Sequence, residues 1–394
     1  DLNTEITTSE AGVQSQATGL RDQRDALLRE LSTLVDVTVR EQPNGAINVY
    51  AGSEALVQGT VARRPVAVQE SDGEVLRTSI RFADTNGQIE ARGGRLAGLV
   101  VSRDQQAYAR MATIDELAAA LIHEVNSIHA DGQGLVGFSS LTGSQHVASI
   151  DAALDSRAAA LSSPVRNGSF FITVSDQETG TPVAYRIDVD VGSHEAATTL
   201  ESLAADINSQ VAGVTASITS DGRITFTADE GATFTFGHDG EQARADTSGV
   251  LAALGVNAFY SGTSARDIQV NETISARPSL LAASSTFLSG DGFNAGRVAS
   301  LGTAASDQLD GASLTEFYTS VAASVAVAGS SADDSVRVAD AVASSLQMQK
   351  ESISGVNLDE EAISLVKYER AFQGAARYVS VVDDLLNQLI SLIR

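Results

Sequence analysis

The stretch SGVNLDEEAISLVKYERAFQGAARYV, Ser354 to Val379, continues as SVVDDLLNQLISLIR to Arg394, and its periodicity decides how the rest of the chain is read. Asn357 stands where a helix N-cap would, with Glu360 three residues on in a capping-box arrangement. Asp359, Glu360 and Glu361 place negative charge at the positive end of the helix dipole. A helix is therefore predicted from near Leu358. From Tyr368 the apolar residues fall at Phe372, Ala375, Val379, Val382, Leu386, Leu389 and Ile393, an alternation of four and three that is the heptad pattern of a coiled-coil seam. Lys367, Glu369, Arg370, Arg377, Asp383 and Asp384 lie off it. Leu365, Ala376, Leu385 and Ile390 widen the stripe, which calls for more than one neighbouring helix.

From Leu358 to Arg394 such a helix would extend roughly 55 Å, longer than a small domain is wide. Burying its seam would contribute on the order of 10 kcal/mol gross, an upper figure before ordering entropy. Left uncovered, the helix is expected to fray or aggregate. The same stripe would also serve inside a four-helix bundle formed within one chain, so periodicity alone leaves both uses open.

The composition narrows the choice of partner. The chain has 394 residues, is 43% hydrophobic with mean hydropathy near zero (+0.01), and is long enough for two or three domains with real cores. A net charge of −24 repels nucleic acid and anionic membrane surfaces, so neither is expected as a partner. Cysteine is absent, which removes disulfide and thiolate chemistry, and lysine occurs only at Lys350 and Lys367. No apolar run reaches the length of a membrane span, and residues 1–30 lack the basic and apolar character of a signal peptide. The opening residues DLNTEI read like the last turn of a helix already under way, so sequence before Asp1 is expected.

Along the chain, LRDQRDALLRELSTLV puts Leu20, Leu27, Leu31 and Leu34 on one helical face with charges opposite, after a loop bracketed by Gly12 and Gly19. Val35, Val37 and Val39 alternate into a turn at Pro43-Asn44-Gly45, and Ile47 and Val49 resume the alternation, predicting a β-hairpin. Further strands are expected through Leu56 to Val68 and Val75 to Phe82, with a turn at Asn86-Gly87 and helix from Leu96 to Ala130. Between about Pro164 and Gly262 short strands dominate: Phe170, Ile172 and Val174 in one, Tyr185, Ile187, Val189 and Val191 in a second. A helix opened by Thr198 with Glu201 as its capping box is predicted to bury Leu200, Leu203, Ile207 and Val211. A hairpin then turns at Ser220-Asp221-Gly222. Past Asn271 two helical segments precede the terminal one, with Leu314, Phe317, Val321 and Val325 on the first and Val336 to Met348 on the second.

The predicted class is α+β: a discontinuous helical stalk with β-hairpins, a small β-rich domain inserted in it, and a long coiled-coil-forming helix at the end. The expected division is 1–164 and 263–353 for the two parts of the stalk, 165–262 for the insert and 354–394 for the terminal helix. Three domains in series are the alternative.

Chemistry is hard to find. LIHEVNSIH holds His123, Glu124 and His129, but zinc proteases need their histidines four apart, and six places them about 240° apart around a helix. Surface or helix-end histidines are expected instead. Asp188 and Asp190 share a strand face outside any calcium loop, and ARGGRLAGL lacks the Lys-Ser/Thr of a phosphate loop. No catalytic, cofactor-binding or metal-ligating residue is predicted, and the protein is not expected to be an enzyme.

The segment SISGVNLDEEAISLVKYERAFQGAARYVSVVDDLLNQLI closely resembles the C-terminal signature of the bacterial flagellar axial proteins, and among them the hook-associated branch. LRDQRDALLRELSTLVDVTV with GAINVYAGSEALVQG, then GGRLAGLVVSRD, then SLTEFYTSVAASV resemble that branch in its order. Ile207-Asn208 and Leu254-Gly255 fall in a region similar to insert modules of flagellin-like proteins. The resemblance implies an extracellular structural adaptor, exported without a cleaved signal peptide and assembled as a ring at the hook–filament junction. It further implies hook protein and a second junction protein or filament as partners, and an export chaperone for the C-terminal helix. Leu358, Leu365, Tyr368, Phe372, Ala375, Val379, Val382, Leu386, Leu389 and Ile393 would form the assembly face, disordered in the monomer and folding on incorporation. A preceding helix that pairs with the terminal one is part of the family pattern, and Gly374 stands where relatives carry a small side chain. Another axial protein, or a secreted adhesin using the β-rich insert, is the alternative reading.

Overall fold

The structure, a computed structural model, describes residues 1–11, 17–72, 75–176, 181–192, 197–239, 242–285, 290–354 and 358–392. Gly12, Gly355, Asn357 and Ile393 of the sequence reading lie outside the described residues. The chain forms two compact units, Asp1–Tyr318 and Thr319–Arg394.

The first unit opens with α1 (Leu2–Ser9) and α2 (Thr18–Leu34), followed by an antiparallel meander of β1 (Thr38–Glu41), β2 (Ile47–Ala51), β3 (Glu54–Gln58) and β4 (Val61–Ala62), and by the hairpin of β5 (Pro65–Asp72) and β6 (Val75–Phe82). The predicted hairpin is present, with Val39 opposite Val49, and Gly45 takes the left-handed conformation its turn requires (φ 80°). Val35, Ala51, Phe82 and Ile89 form the core here. The predicted leucine face of α2 is only partly covered: Leu20 is half-buried and Leu31 packs half-buried against this core, but Leu27 is 58% and Leu34 48% exposed, while Arg24 is buried. Two polar demands explain this. Arg24 Nη1 donates to the Gly45 carbonyl at 2.7 Å, and buried Asn3 donates to the Ile47 and Gly59 carbonyls at 2.8 and 2.6 Å, so the turn and strand ends draw polar side chains inward.

The predicted helix from Leu96 to Ala130 is a rod of α3 (Gly94–Val101), six π-helical residues (Ser102–Ala107) and α4 (Tyr108–Ala130). Gly94 has φ 74° and sits so close to the backbone of Leu34 and Val35 that a Cβ would meet the Val35 nitrogen at 2.7 Å. This close approach brings α3 onto the end of α2.

The β-rich part contains β7 (Ser140–Thr142), β8 (Gly168–Asp176), β9 (Pro182–Val189), α5 (Leu200–Gln210), β10 (Val214–Ile218), β11 (Ile224–Ala228) and β12 (Ala232–Phe236). They form two antiparallel sheets, in the orders β10-β11-β7 and β12-β8-β9. Smaller elements follow: α6 (Val250–Ala253), β13 (Tyr260–Ser261), β14 (Gln269–Val270), α7 (Glu272–Ala276) and α8 (Phe293–Ser300). The largest core lies here, running from Ala130 to Leu280 and so drawing residues from both sides of 165–262. Phe226, Phe234 and Phe236 meet edge-on or tilted at 5.5–6.0 Å. The predicted core face of α5 is buried at Leu200, Leu203, Ile207 and Val211.

The cap of α5 differs by one residue from expectation. Thr199 caps it, in a reciprocal box with Ser202. Thr198 is occupied elsewhere, accepting from the Asp190 N–H at 3.0 Å, and the Glu201 N–H donates to the Ile150 carbonyl. Asn208 clamps β10 through both halves of its amide, donating to the Ala216 carbonyl at 2.8 Å and accepting from its N–H at 2.7 Å.

The second unit holds most of α9 (Leu314–Ser354) and all of α10 (Leu358–Leu392). The two segments expected before the terminal helix are one helix of 41 residues. The small residues between Val327 and Val336 include no proline, and alanine sustains a helix where a breaker would end it. α10 starts at Leu358 as predicted and stays helical to Leu392 in a single chain. Its seam is uncovered, yet Leu, Ala, Glu, Lys and Arg keep its intrinsic helix cost low.

Candidate assembly interface

Among the described residues from 329 to 390, outside the junction of α9 and α10, every side chain is exposed except the half-buried Ser364. α9 and α10 do not pack against each other along their length. On the predicted seam Leu365 is 71%, Tyr368 78%, Phe372 75% and Val379 65% exposed. Ala375, Val382, Leu386 and Leu389 are exposed as well. The widening residues Leu385 and Ile390 share this exposure, as do Ile363, Val366, Tyr378 and Val381 on the rest of the circumference.

The sequence reading missed how far this surface extends. α9 exposes Val325, Val327, Val336, Val338, Val342, Leu346, Met348 and Ile353. Leu314 and Phe317 are half-buried and Val321 is buried, so the face predicted there changes character within two turns. The signal was available at 321, 325, 328, 332, 339, 342, 346 and 353, which hold valine, alanine, leucine or isoleucine at heptad spacing. Ser335 and Gln349 at the intervening positions, and the alanines, kept it below notice.

Gly374 lies within α10 with nothing within 4 Å of where a Cβ would stand. Asp359, Glu360 and Glu361 occupy the first turn as read from the sequence. No helix among the described residues is long and apolar enough to cross a membrane.

The histidines of LIHEVNSIH separate as expected but not to the surface. His129, at the end of α4, is buried. Its Nδ1 lies 2.6 Å from the Asn257 carbonyl and its Nε2 accepts from the Ala282 N–H at 3.0 Å, so the ring ties α4 to two loops. Burial lowers its pKa, which favours the neutral ring that this pair of bonds requires. His123 is half-buried and its pKa is likewise lowered by burial. It lines a polar cleft with Glu124, Arg166 and Asp246. Glu124 accepts from the Ser306 hydroxyl at 2.6 Å, and Asp246 accepts from the Ser248, Gly249 and Leu251 N–H groups. These carboxylates are spent on holding loops. No group of three or more potential metal ligands is found among the described residues. Asp188 and Asp190 are exposed, and Asp188 pairs with Arg186 at 2.7 Å.

Comparison with known proteins gives three family matches in chain order. Residues 1–144 match the flagellar hook-associated protein FlgK helical domain, 172–230 the flagellin hook IN motif, and 350–392 the flagellar basal body rod FlgEFG protein C-terminal region. The flagellar hook-associated protein 1 of Salmonella typhimurium is 26% identical over 97% of this chain, and that of Escherichia coli K12 is 26% identical over 97%. The chain spans 66% and 65% of the length of these two relatives. A solved flagellar hook junction protein, FlgK from Burkholderia pseudomallei, is 19% identical, with 66% of this chain and 47% of that one covered at a TM-score of 0.30, too low to establish a shared overall arrangement. The chain is thus similar along 97% of its length to proteins named flagellar hook-associated protein 1, and its residues 1–144 match the helical domain of that family.

Proposed function

We propose that this protein is a structural adaptor of the bacterial flagellum, placed outside the cell at the hook–filament junction, where copies assemble as a ring through their terminal helices. The observation that carries the reading is the uncovered seam of α10: apolar residues at strict heptad spacing, Leu365 to Leu389, all exposed in the single chain. A coiled-coil seam of that length is stable only when another helix covers it. The relatives named as hook-associated protein 1 over 97% of the chain support the location. Hook protein on one side and a second junction protein or filament on the other are the proposed neighbours. An export chaperone that covers the C-terminal helix before assembly fits the same exposed stripe. The proposed division of labour keeps residues 165–262 as an outward-facing insert, with 1–164 and 263–353 as the stalk and 354–394 as the assembly helix. The chemistry of the described clefts, whose carboxylates are engaged by the chain itself, supports a role without catalysis.

Phe372→Asp and Leu386→Asp test this, because each charge is solvated in the single chain and would be buried only in the assembly. Both variants are expected to keep the wild-type melting of the first unit and to lose self-association by sedimentation and binding to isolated hooks. Wild-type assembly by either variant would overturn the seam assignment.

A further inference from the structure

The rod that joins the N-terminal sheets to the β-rich core changes its winding halfway. At the end of the π-helical segment Ser102–Ala107, the Tyr108 N–H reaches back five residues to the Arg103 carbonyl, one more than an α-helix uses. Such segments are rare, and those that persist are supported by their surroundings, frequently where function needs them. Here the support comes from the β5–β6 hairpin. Arg103 Nη1 donates to the Thr78 carbonyl at 2.7 Å while Asp104 holds the same guanidinium at 2.6 Å. The Tyr108 hydroxyl donates to the Leu76 carbonyl at 3.3 Å, and the Arg77 guanidinium lies 5.3 Å from the centre of the Tyr108 ring.

What lies on either side makes this more than a local irregularity. Towards the N-terminus α3 packs on α2 beside the core of Val35, Phe82 and Ile89. Towards the C-terminus α4 is buried at Ala118, Ala120, Ile122, Val125 and Ile128. Between them Met111 and Ile114 are 39% and 38% exposed, so the rod is poorly covered in its middle. Apart from this rod, no element before residue 94 packs closely against an element after residue 130 among the described residues. The orientation of one module against the other therefore depends on the winding of a single helix and on the hairpin side chains that hold it.

We infer that Ser102–Ala107 is a register joint, which exchanges between the π winding latched by the β5–β6 hairpin and an α winding that turns the N-terminal module against the β-rich one. A π turn holds one residue more than an α turn, and one residue of an α-helix is a rotation of about 100°. Releasing the joint rotates one module about the rod by roughly that angle, without unpacking either core. Helix register shifts of this kind run on the microsecond to millisecond scale. The exchange belongs to the single chain and needs no assembly.

The full chain carries no cysteine, so Ser32→Cys on α2 and Gln210→Cys on α5 place two spin labels on exposed sites in the two modules. Pulsed dipolar spectroscopy is expected to give one dominant distance in this background. Arg103→Ala combined with Tyr108→Phe, which removes the latch, is expected to raise a second distance from below detection to a resolved peak. Deleting Gln105, whose side chain is exposed, removes the extra residue of the π turn, so an all-α rod then holds the flanks in the original phase and is expected to keep the first distance alone even without the latch, with unchanged melting of the β-rich core. A latch-free variant that keeps only the first distance would overturn the joint. So would a latch-free deletion variant that still shows the second distance, or which unfolds.

Discussion

Phe234 and Phe372 are the same residue in opposite circumstances. Phe234 is fully buried among Phe138, Phe226 and Phe236, in a core assembled from six short strands and a helix distant in sequence. Phe372 is 75% exposed on a helix whose order is entirely local. In the β-rich module, tertiary contact has already used the apolar surface that the strand pattern provides. Along α10 nothing has among the described residues, and the apolar surface remains available. The lesson is that a regular backbone and a satisfied hydrophobic pattern are separate achievements, and that a helix can possess the first while lacking the second.

The sharpest way to break the comparison is to truncate both rings. Phe234→Ala is expected to destabilise the first unit by about 3–5 kcal/mol, through lost burial and the cavity left behind. Phe372→Ala should change the stability of the single chain by less than about 0.5 kcal/mol, as exposed substitutions do. Urea unfolding followed by circular dichroism checks both. Comparable losses would mean that the seam is already covered in the free chain.

The buried module also carries a titration that can be read. Burial, with the Asp246 carboxylate nearby, pushes the Asp131 carboxyl up to about 6, although it accepts from the Asp246 N–H at 2.7 Å and lies 3.7 Å from Arg297. The folded carboxyl thus keeps its proton at pH values where the unfolded one has released it. Its stabilising contribution is complete below about pH 4 and is lost as pH rises to about 6, by up to about 3 kcal/mol. Asp246 is shifted in the same direction, again chiefly by burial. Asp131→Asn should flatten the fall between pH 4 and 6 in urea unfolding measured across a pH series. A slope unchanged in the variant would place the proton elsewhere.

The smallest effect is expected on the exposed side. Gly374→Ala meets open space in the single chain and should raise the local helix stability by up to about 1 kcal/mol. Slower amide exchange of the peptides around residue 374, with the first unit unchanged, is the readout. If exchange there is already as slow as in α5, the terminal helix is held by more than its own propensity.

Much of this arrangement was legible from the residues. Period-two alternation found β1, β2, β8, β9, β10 and β11, and the helical period found α2, α4, α5 and α10, because each carries a clean pattern over several residues. The α5 cap slipped by one residue because two adjacent threonines are equally good caps, and only the path of the preceding strand decides that Thr198 serves Asp190. His129 was legible as a surface or helix-end residue, and it does end α4, but its burial was not, because its partners Asn257 and Ala282 lie more than a hundred positions away. The π segment left no mark, since its compensation comes from backbone carbonyls on a separate hairpin. The candidate interface was the most legible part of all, for the seam is a one-dimensional pattern that needs no partner to be seen.

The sequence by itself determined the local matters: where helices and strands form, the heptad spacing of α10, the absence of thiol chemistry and the acidic surface. These depend on residues within a few turns of one another or on composition alone. Only the tertiary structure decided which faces are used. It buried Arg24 more deeply than any leucine of α2, because an inward carbonyl at Gly45 needed a donor. It turned His129 into a tie between loops, and it joined two cores by one helix with an altered winding. It also left the seam of α10 open, a state that no period in the sequence could distinguish from a covered one.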